Sequence, residues 1–255
     1  MGIFDLMGFK ESLETLANGG EVVNFYLGDI SKEERIDVGR EGLKLIEDIE
    51  AHDGIVDSSM LWKWNDLHGT GFTSMKITRL REWYNRHYGY VISTQEFING
   101  LSLWIGEKKV LSVLSGAGTI ERALQKTGTN IIMTDDMSWV KASKYNSKRS
   151  AFSNWNVENI EDIDAVEAIK KYPDVDYILM SWPPYDSHIA SEVLVAMREF
   201  NPSAMLIYFG EDYGGCCGDD EFFEMAECIS DHGIHELEQY YVQFPNIYDT
   251  IMLFK

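Results

Sequence analysis

Gly116 and Gly118 follow the apolar run Val110-Leu-Ser-Val-Leu114, and Asp135 ends the next apolar stretch, Ile131-Ile-Met133, nineteen residues beyond Gly116. Bare backbone at a strand-to-helix turn lets a ligand approach closely, and the helix that follows turns its positive N-terminus toward it. A carboxylate at that spacing is placed to accept hydrogen bonds from both hydroxyls of a ribose. The chemistry expected is a nucleotide-cofactor cradle that binds a free ribose diol. Support for pyrophosphate is weaker, because the dinucleotide fingerprint needs glycine at position 121 and the chain has Glu121.

A second constellation lies downstream. The run Val175-Asp-Tyr-Ile-Leu-Met-Ser181 leads into Trp182-Pro183-Pro184-Tyr185. Two prolines stiffen a loop whose carbonyls can accept from an amino group, and Tyr185 offers a face to a planar substrate. Ser181 is the polar candidate beside them. Another apolar run, Met205-Leu-Ile-Tyr-Phe-Gly210, delivers Glu211 and then Tyr213-Gly-Gly-Cys-Cys-Gly218 to the edge where open α/β sheets hold ligands. Glu211 is a candidate to orient an amino substrate or take its proton, and His188 is a further candidate base. Cys216, Cys217 and Cys228 form neither a disulfide framework nor a paired zinc motif, so no metal is expected.

Ser112, Ser115, Gly116, Gly118 and Glu121 match the serine-led motif S-x-G-S-G-x-G-x-x-E, and on these residues the chain resembles the Rossmann-fold, class I S-adenosylmethionine-dependent methyltransferases. Leu114 stands where that motif usually has its first glycine. The Trp-Pro-Pro-Tyr tetrad resembles motif IV of the amino-methyltransferases, with Trp182 in the place of an Asp, Asn or Ser. The resemblance covers residues from about 87 to 255 and points to an uncharacterised branch of the family. It implies S-adenosylmethionine as cofactor, held by Ser115, Gly116, Gly118 and Asp135, with Asn156 or Glu158 at the adenine if the segment 153 to 158 ends the third strand. It implies catalysis by Ser181, Tyr185 and Glu211, with Trp182, Pro183, Pro184 and Tyr185 against the substrate.

The elements that must position these groups follow from periodicity. Apolar strands at 110 to 114, 131 to 134, 175 to 180, 204 to 209, and a final pair near 238 to 244 and 249 to 254, alternate with helical segments. This predicts an α/β fold, a mostly parallel sheet covered by helices on both faces; the resemblance makes it a seven-stranded, Rossmann-like methyltransferase sheet. Residues 1 to 90 read as a helical N-terminal extension or lid, and 91 to 255 as the Rossmann-fold domain. Ser31 and Glu34 form a capping box opening a helix through about residue 52, and Ser93 and Glu96 are placed as a second. The aromatic residues between 62 and 90 either dock this extension or stack on a planar substrate.

Composition narrows the function. With 42 acidic against 22 basic residues, the chain carries a formal charge of −20, which argues against duplex nucleic acid as a partner. A basic stretch, Lys141, Lys144, Lys148 and Arg149, is the exception. No run reaches the roughly eighteen apolar residues of a membrane span, and the N-terminus lacks a basic, then apolar, leader, so no membrane and a reducing cytoplasm are expected. The leading expectation is methyl transfer to a nitrogen or oxygen of a small molecule or protein side chain. One rival is nucleobase amino-methylation of a nucleotide or single strand; the other is an inactive, acidic interaction protein of the same fold. Oligomeric state has no signature in the sequence.

Overall fold

Buried strands read as continuous apolar runs where both faces of the sheet are covered, and five such runs, four of them parallel, become strands in the computed structural model. It describes residues 8–22, 27–69, 75–139, 155–244 and 247–255. The chain divides into two units, Met1–Asn85 with Phe244–Asn246, and Arg86–Gln243 with Ile247–Lys255.

The larger unit holds β1 (Lys109–Val113), β2 (Asn130–Asp135), β3 (Glu161–Asp162), β4 (Tyr177–Ser181), β5 (Met205–Gly210) and β6 (Thr250–Phe254). They form one sheet in the order β3-β2-β1-β4-β5-β6. Every pairing is parallel except β5 with β6. Alternation along each strand sorts the side chains by face. Leu111, Val113, Ile178, Met180, Leu206 and Tyr208 form one core cluster, with residues of three helices, called here α7 (Ala165–Lys171), α8 (Ile189–Phe200) and α9 (Asp220–Met225). On the opposite face Phe209 and Tyr177 meet Phe97 and Trp104 of α5 (Gln95–Ile105). Helices α6 (Thr119–Lys126) and α10 (His232–Glu238) pack beside α5.

Three expectations change. Residues 239 to 244 are turn and coil, so the sheet has six strands among the described residues. The aromatic pattern there serves Tyr241 instead, whose ring packs on Phe97 and Phe209 and whose hydroxyl donates to Asp249 Oδ2 at 3.0 Å. The third strand is only Glu161–Asp162 and follows residues 153 to 158, so that segment precedes the strand instead of ending it. The cap of α5 is Thr94, whose hydroxyl accepts from Phe97 N at 3.2 Å, while Ser93 is buried.

The smaller unit is built of α1 (Phe9–Ala17), α2 (Lys32–Ala51), α3 (Ser58–Asp66) and α4 (Met75–Tyr88), the last running past its boundary. The capping box opens α2 as expected, with Ser31 N donating to Glu34 Oε2 at 2.6 Å and Glu34 N to Ser31 Oγ at 3.2 Å. Trp64 and Tyr84 are buried within this unit, donating to the carbonyls of Val38 and Gly54. At its centre lies Lys76, fully buried, whose ammonium donates to the carbonyls of Trp64, Asn65 and Leu67 at 2.7, 3.1 and 3.3 Å. Its three donors meet three carbonyls at the end of α3, of which Trp64's also accepts from Leu67 N, so the cation caps the helix C-terminus. No described helix is long and apolar enough to cross a membrane.

Two stability predictions follow from this packing. Gly39 of α2 lies so close to α1 that a Cβ there would sit 2.7 Å from the Leu13 carbonyl oxygen. Alanine normally stabilises a helix interior by about 1 kcal/mol over glycine, but Gly39→Ala should destabilise by about 1–3 kcal/mol in urea denaturation. Burial pushes the Lys76 pKa from 10.5 down to about 8. Between those values the unfolded chain holds a proton that the folded chain has released, so this group's contribution to stability rises with pH. Denaturation of the wild type and Lys76→Met should diverge in the wild type's favour between about pH 8 and about pH 10; a constant difference would contradict the shift.

Candidate active site

A cavity of about 530 Å³ opens at the carboxyl ends of β1, β2 and β4, within the size range of small-molecule sites. Its floor is the turn after β1. Gly116 and Gly118 have φ of 54° and 63°, the left-handed region where glycine is at ease. A Cβ on Gly116 would lie 2.9 Å from the Trp155 ring, so the bare backbone also makes room for an aromatic wall.

Ser115 ties this floor together. Its hydroxyl donates to Ser112 Oγ at 3.0 Å and accepts from Thr134 N at 3.2 Å, and Ser112 in turn donates to Glu121 Oε1 at 2.7 Å. The two ends of the serine-led motif therefore meet inside the protein. Burial pushes the Glu121 carboxyl above the usual carboxylate range, the Ser112 hydrogen bond opposing it.

Asp135 borders the cavity and is engaged by three donors. Oδ2 accepts from Gly116 N at 2.9 Å, and Oδ1 accepts from Met137 N at 2.8 Å and Trp139 Nε1 at 3.0 Å. Only 5% exposed, and raised in pKa by burial against these three donors, it is already committed to holding the turn. Asp136, half-buried, is a second carboxylate of the β2 end on the cavity wall. Its Oδ1 accepts from Ser138 N at 2.8 Å.

Aromatic rings run around the wall. Trp182 stacks on Tyr90 with centroids 5.3 Å apart, Trp155 meets Tyr90 edge-on at 6.3 Å, and Trp139 meets Trp155 at 4.9 Å. Trp182 Nε1 donates to Asp249 Oδ2 at 3.2 Å, which turns the indole nitrogen away from any substrate. Leu114 and Trp182, the two departures from the motifs, both have left-handed backbone, with φ of 55° and 47°. These are conformations that an L-residue occupies at a cost of about 1–3 kcal/mol and that collect at functional sites.

Of the residues singled out from sequence, Ser115, Gly116, Gly118, Asp135, Ser181, Trp182, Pro183, Pro184 and Tyr185 all border this cavity. Glu211, Asn156 and Glu158 do not. Glu211 is buried, with Oε2 accepting from Cys216 N at 2.7 Å and Oε1 from Tyr248 N at 2.9 Å, bonds that hold the Gly-Gly-Cys loop. Asn156 and Glu158 are exposed and bonded to each other through Glu158 N, because their segment precedes β3; Trp155 is the residue that reaches the cavity. His188 is exposed beside Glu221 and Asp219, outside the cavity lining. Tyr90, from the aromatic stretch between 62 and 90, also lines the cavity, and so do Asp136, Trp139 and Trp155, which the sequence did not single out. The doubled Asp135-Asp136 was the one visible signal, since neighbours at a strand end face opposite ways. Lys141, Lys144, Lys148 and Arg149 lie outside the described residues.

The backbone at Leu114 yields a prediction of order. Leu114→Ala keeps the left-handed strain and loses packing, whereas Leu114→Gly loses the same packing and relieves the strain. The glycine variant should be the more stable of the two by about 1 kcal/mol in urea denaturation; the reverse order would show the turn to be unstrained.

No known protein-family model matches this sequence, and no curated protein does. Solved structures that it resembles include the mitomycin 7-O-methyltransferase MmcR, at 12% identity and a TM-score of 0.40 over 88% of this chain and 70% of that one. The Synechocystis PCC 6803 magnesium protoporphyrin IX methyltransferase ChlM with bound SAM aligns at 12% identity and TM-score 0.35, over 84% and 96%. The Pyrococcus abyssi tRNA (uracil-54, C5)-methyltransferase in complex with S-adenosyl-L-homocysteine aligns at 12% identity and TM-score 0.37, over 63% of this chain and 37% of that one. The match to the Streptomyces caelestis CcbJ methyltransferase, at 12% identity and TM-score 0.30, takes in 46% of this chain and 49% of that one, about half its length.

Proposed function

We propose that the protein is an S-adenosylmethionine-dependent methyltransferase acting on a nitrogen or oxygen of a small molecule or protein side chain. The observation that carries this reading is the sharing of one cavity by the Gly116–Gly118 turn, Asp136 and the Ser181–Tyr185 loop. A cofactor cradle and an acceptor loop within one small space are what direct transfer between two bound molecules requires.

The residues present fit the cofactor. Thr119, the first residue of α6, borders the cavity and has a buried hydroxyl with no hydrogen-bond partner among the described residues, a group that a polar ligand would satisfy. No side chain caps α6, whose N-terminus therefore presents backbone N–H groups to an anionic group such as a carboxylate. Asp136 is the acceptor for ribose hydroxyls, and Trp155, Trp139 and Tyr90 supply flat surfaces for an adenine ring. When bound, S-adenosylmethionine supplies a methyl group on a positively charged sulfur, open to direct displacement. The chain's own part is to hold the acceptor in line, to exclude water with its aromatic walls, and to place carboxylates and ring faces near the positive charge. Ser181 and Tyr185 orient the acceptor.

Two rivals remain defined by particular residues. Nucleobase methylation loses a recognition group, because Trp182 gives its indole N–H to Asp249. A non-catalytic role is favoured by the strained bulky residues Leu114 and Trp182 in the cavity wall and by the charge of −20. Calorimetric titration with S-adenosylmethionine and S-adenosylhomocysteine separates these from the main reading. Micromolar binding is expected, weakened about tenfold or more by Asp136→Ala with little change in melting temperature. Asp135→Asn should lower the melting temperature as well as the affinity. Failure of both ligands to bind the wild type would remove the enzyme reading and leave the non-catalytic one.

A further inference from the structure

The half of the cavity at the end of β4 has a fixed frame and a distinct charge. Trp182 N donates to the Phe209 carbonyl at 2.8 Å, Gly218 N donates to the Pro183 carbonyl at 2.9 Å, and Pro184 bridges to Cys217. The loop is thus pinned from behind, and the next two residues, Tyr185 and Asp186, project from it at the cavity's rim. Tyr185 is 65% exposed. Asp186 is exposed and borders the cavity, and it has no hydrogen-bond or ion-pair partner among the described residues. The ionisable carboxylates of the lining are Glu121, Asp135, Asp136 and Asp186, and no Lys, Arg or His accompanies them among the described residues. Glu121 and Asp135 are spent on internal bonds. Asp136 belongs to the β2 side of the cavity, which leaves Asp186 as the charge of the acceptor side.

An aromatic face next to an uncommitted carboxylate is a receptor for an ammonium group, and the same pair repels phosphate and carboxylate. We propose that the methyl acceptor is an aliphatic amine carried on an aromatic body, captured at Tyr185 and Asp186, and that anionic acceptors such as nucleotides are rejected there. This rests on the methyl-transfer reading. The bound ammonium releases one proton to water, and its lone pair then forms the new N–C bond while the C–S bond breaks and its electrons remain on sulfur. Positive charge thereby moves from sulfur to nitrogen, toward the Asp186 carboxylate, which stabilises it as it develops.

The test begins with binding alone. Phenethylamine and its isosteric acid, 3-phenylpropionate, are titrated into the cofactor-free protein by calorimetry, with S-adenosylhomocysteine titrated separately. The amine should bind at least about tenfold more tightly than the acid, Asp186→Asn should remove most of that preference, and Asp186→Lys should reverse it, all with unchanged melting temperatures. With S-adenosylmethionine present, labelled methyl should pass to the amine and not to the acid. Equal binding of amine and acid, binding of neither, or indifference to Asp186→Asn would overturn the proposal. If that occurs while S-adenosylhomocysteine binds, the methyl-transfer reading stands without it; if S-adenosylhomocysteine fails to bind, that reading falls by its own measurement.

Discussion

One carboxylate sets the geometry on which the cavity depends. Asp135 binds Gly116 N across from β2 to the turn after β1, and on its other oxygen gathers Met137 N and Trp139 Nε1. At the carboxyl ends of β1 and β2 the backbone ladder closes with Ser115 N donating to the Thr134 carbonyl at 3.0 Å, and beyond that bond the turn is held by side chains. Here a buried anion fixes it, with three donors offsetting the cost of taking the charge out of water. The floor, the Trp139 ring and, through Trp155, the aromatic wall are all placed relative to this one group.

The architecture was readable because its signals are local. A buried parallel strand is a short apolar run ending in glycine or polar residues, and Val110 to Leu114, Ile131 to Thr134 and Met205 to Phe209 each meet that description. The Ser31 capping box lies within four residues and needs nothing else to form. What escaped depends on distant partners. Asp135 and Asp136 are interchangeable in composition, and only the donors waiting at Gly116 and Trp139 decide which of them turns inward. Glu211 occupies the expected sheet edge, yet the amides of Cys216 and Tyr248 draw it into the loop. The run around Tyr241 has strand-like composition, but the Asp249 carboxylate and the Phe97 and Phe209 rings hold it as coil.

Leu114 and Trp182, the two bulky residues at the motif-like turns, share a backbone state and a location. Leu114 and Trp182 end adjacent parallel strands, β1 and β4, and both adopt left-handed φ where glycine or a small polar residue would be at ease. Each has compensating contacts: Leu114 against the core cluster, Trp182 against Tyr90 and Asp249. Both bulky side chains therefore line the cavity as part of the packing of the sheet.

The adjacent cysteines read in the sequence as a vicinal dithiol, but the chain separates them. Cys217 is buried, its thiol pushed up to about 11 by burial while Glu211 N and the Tyr208 hydroxyl donate to its sulfur, whereas Cys216 is exposed on the cavity wall. Thiolate, the reactive form, is therefore suppressed at Cys217, while the Cys216 sulfur lies exposed on the cavity wall. Among the described residues an electrophile entering this space therefore meets one exposed thiol, with its neighbour's sulfur turned into the core, an arrangement unsuited to chelation by the pair.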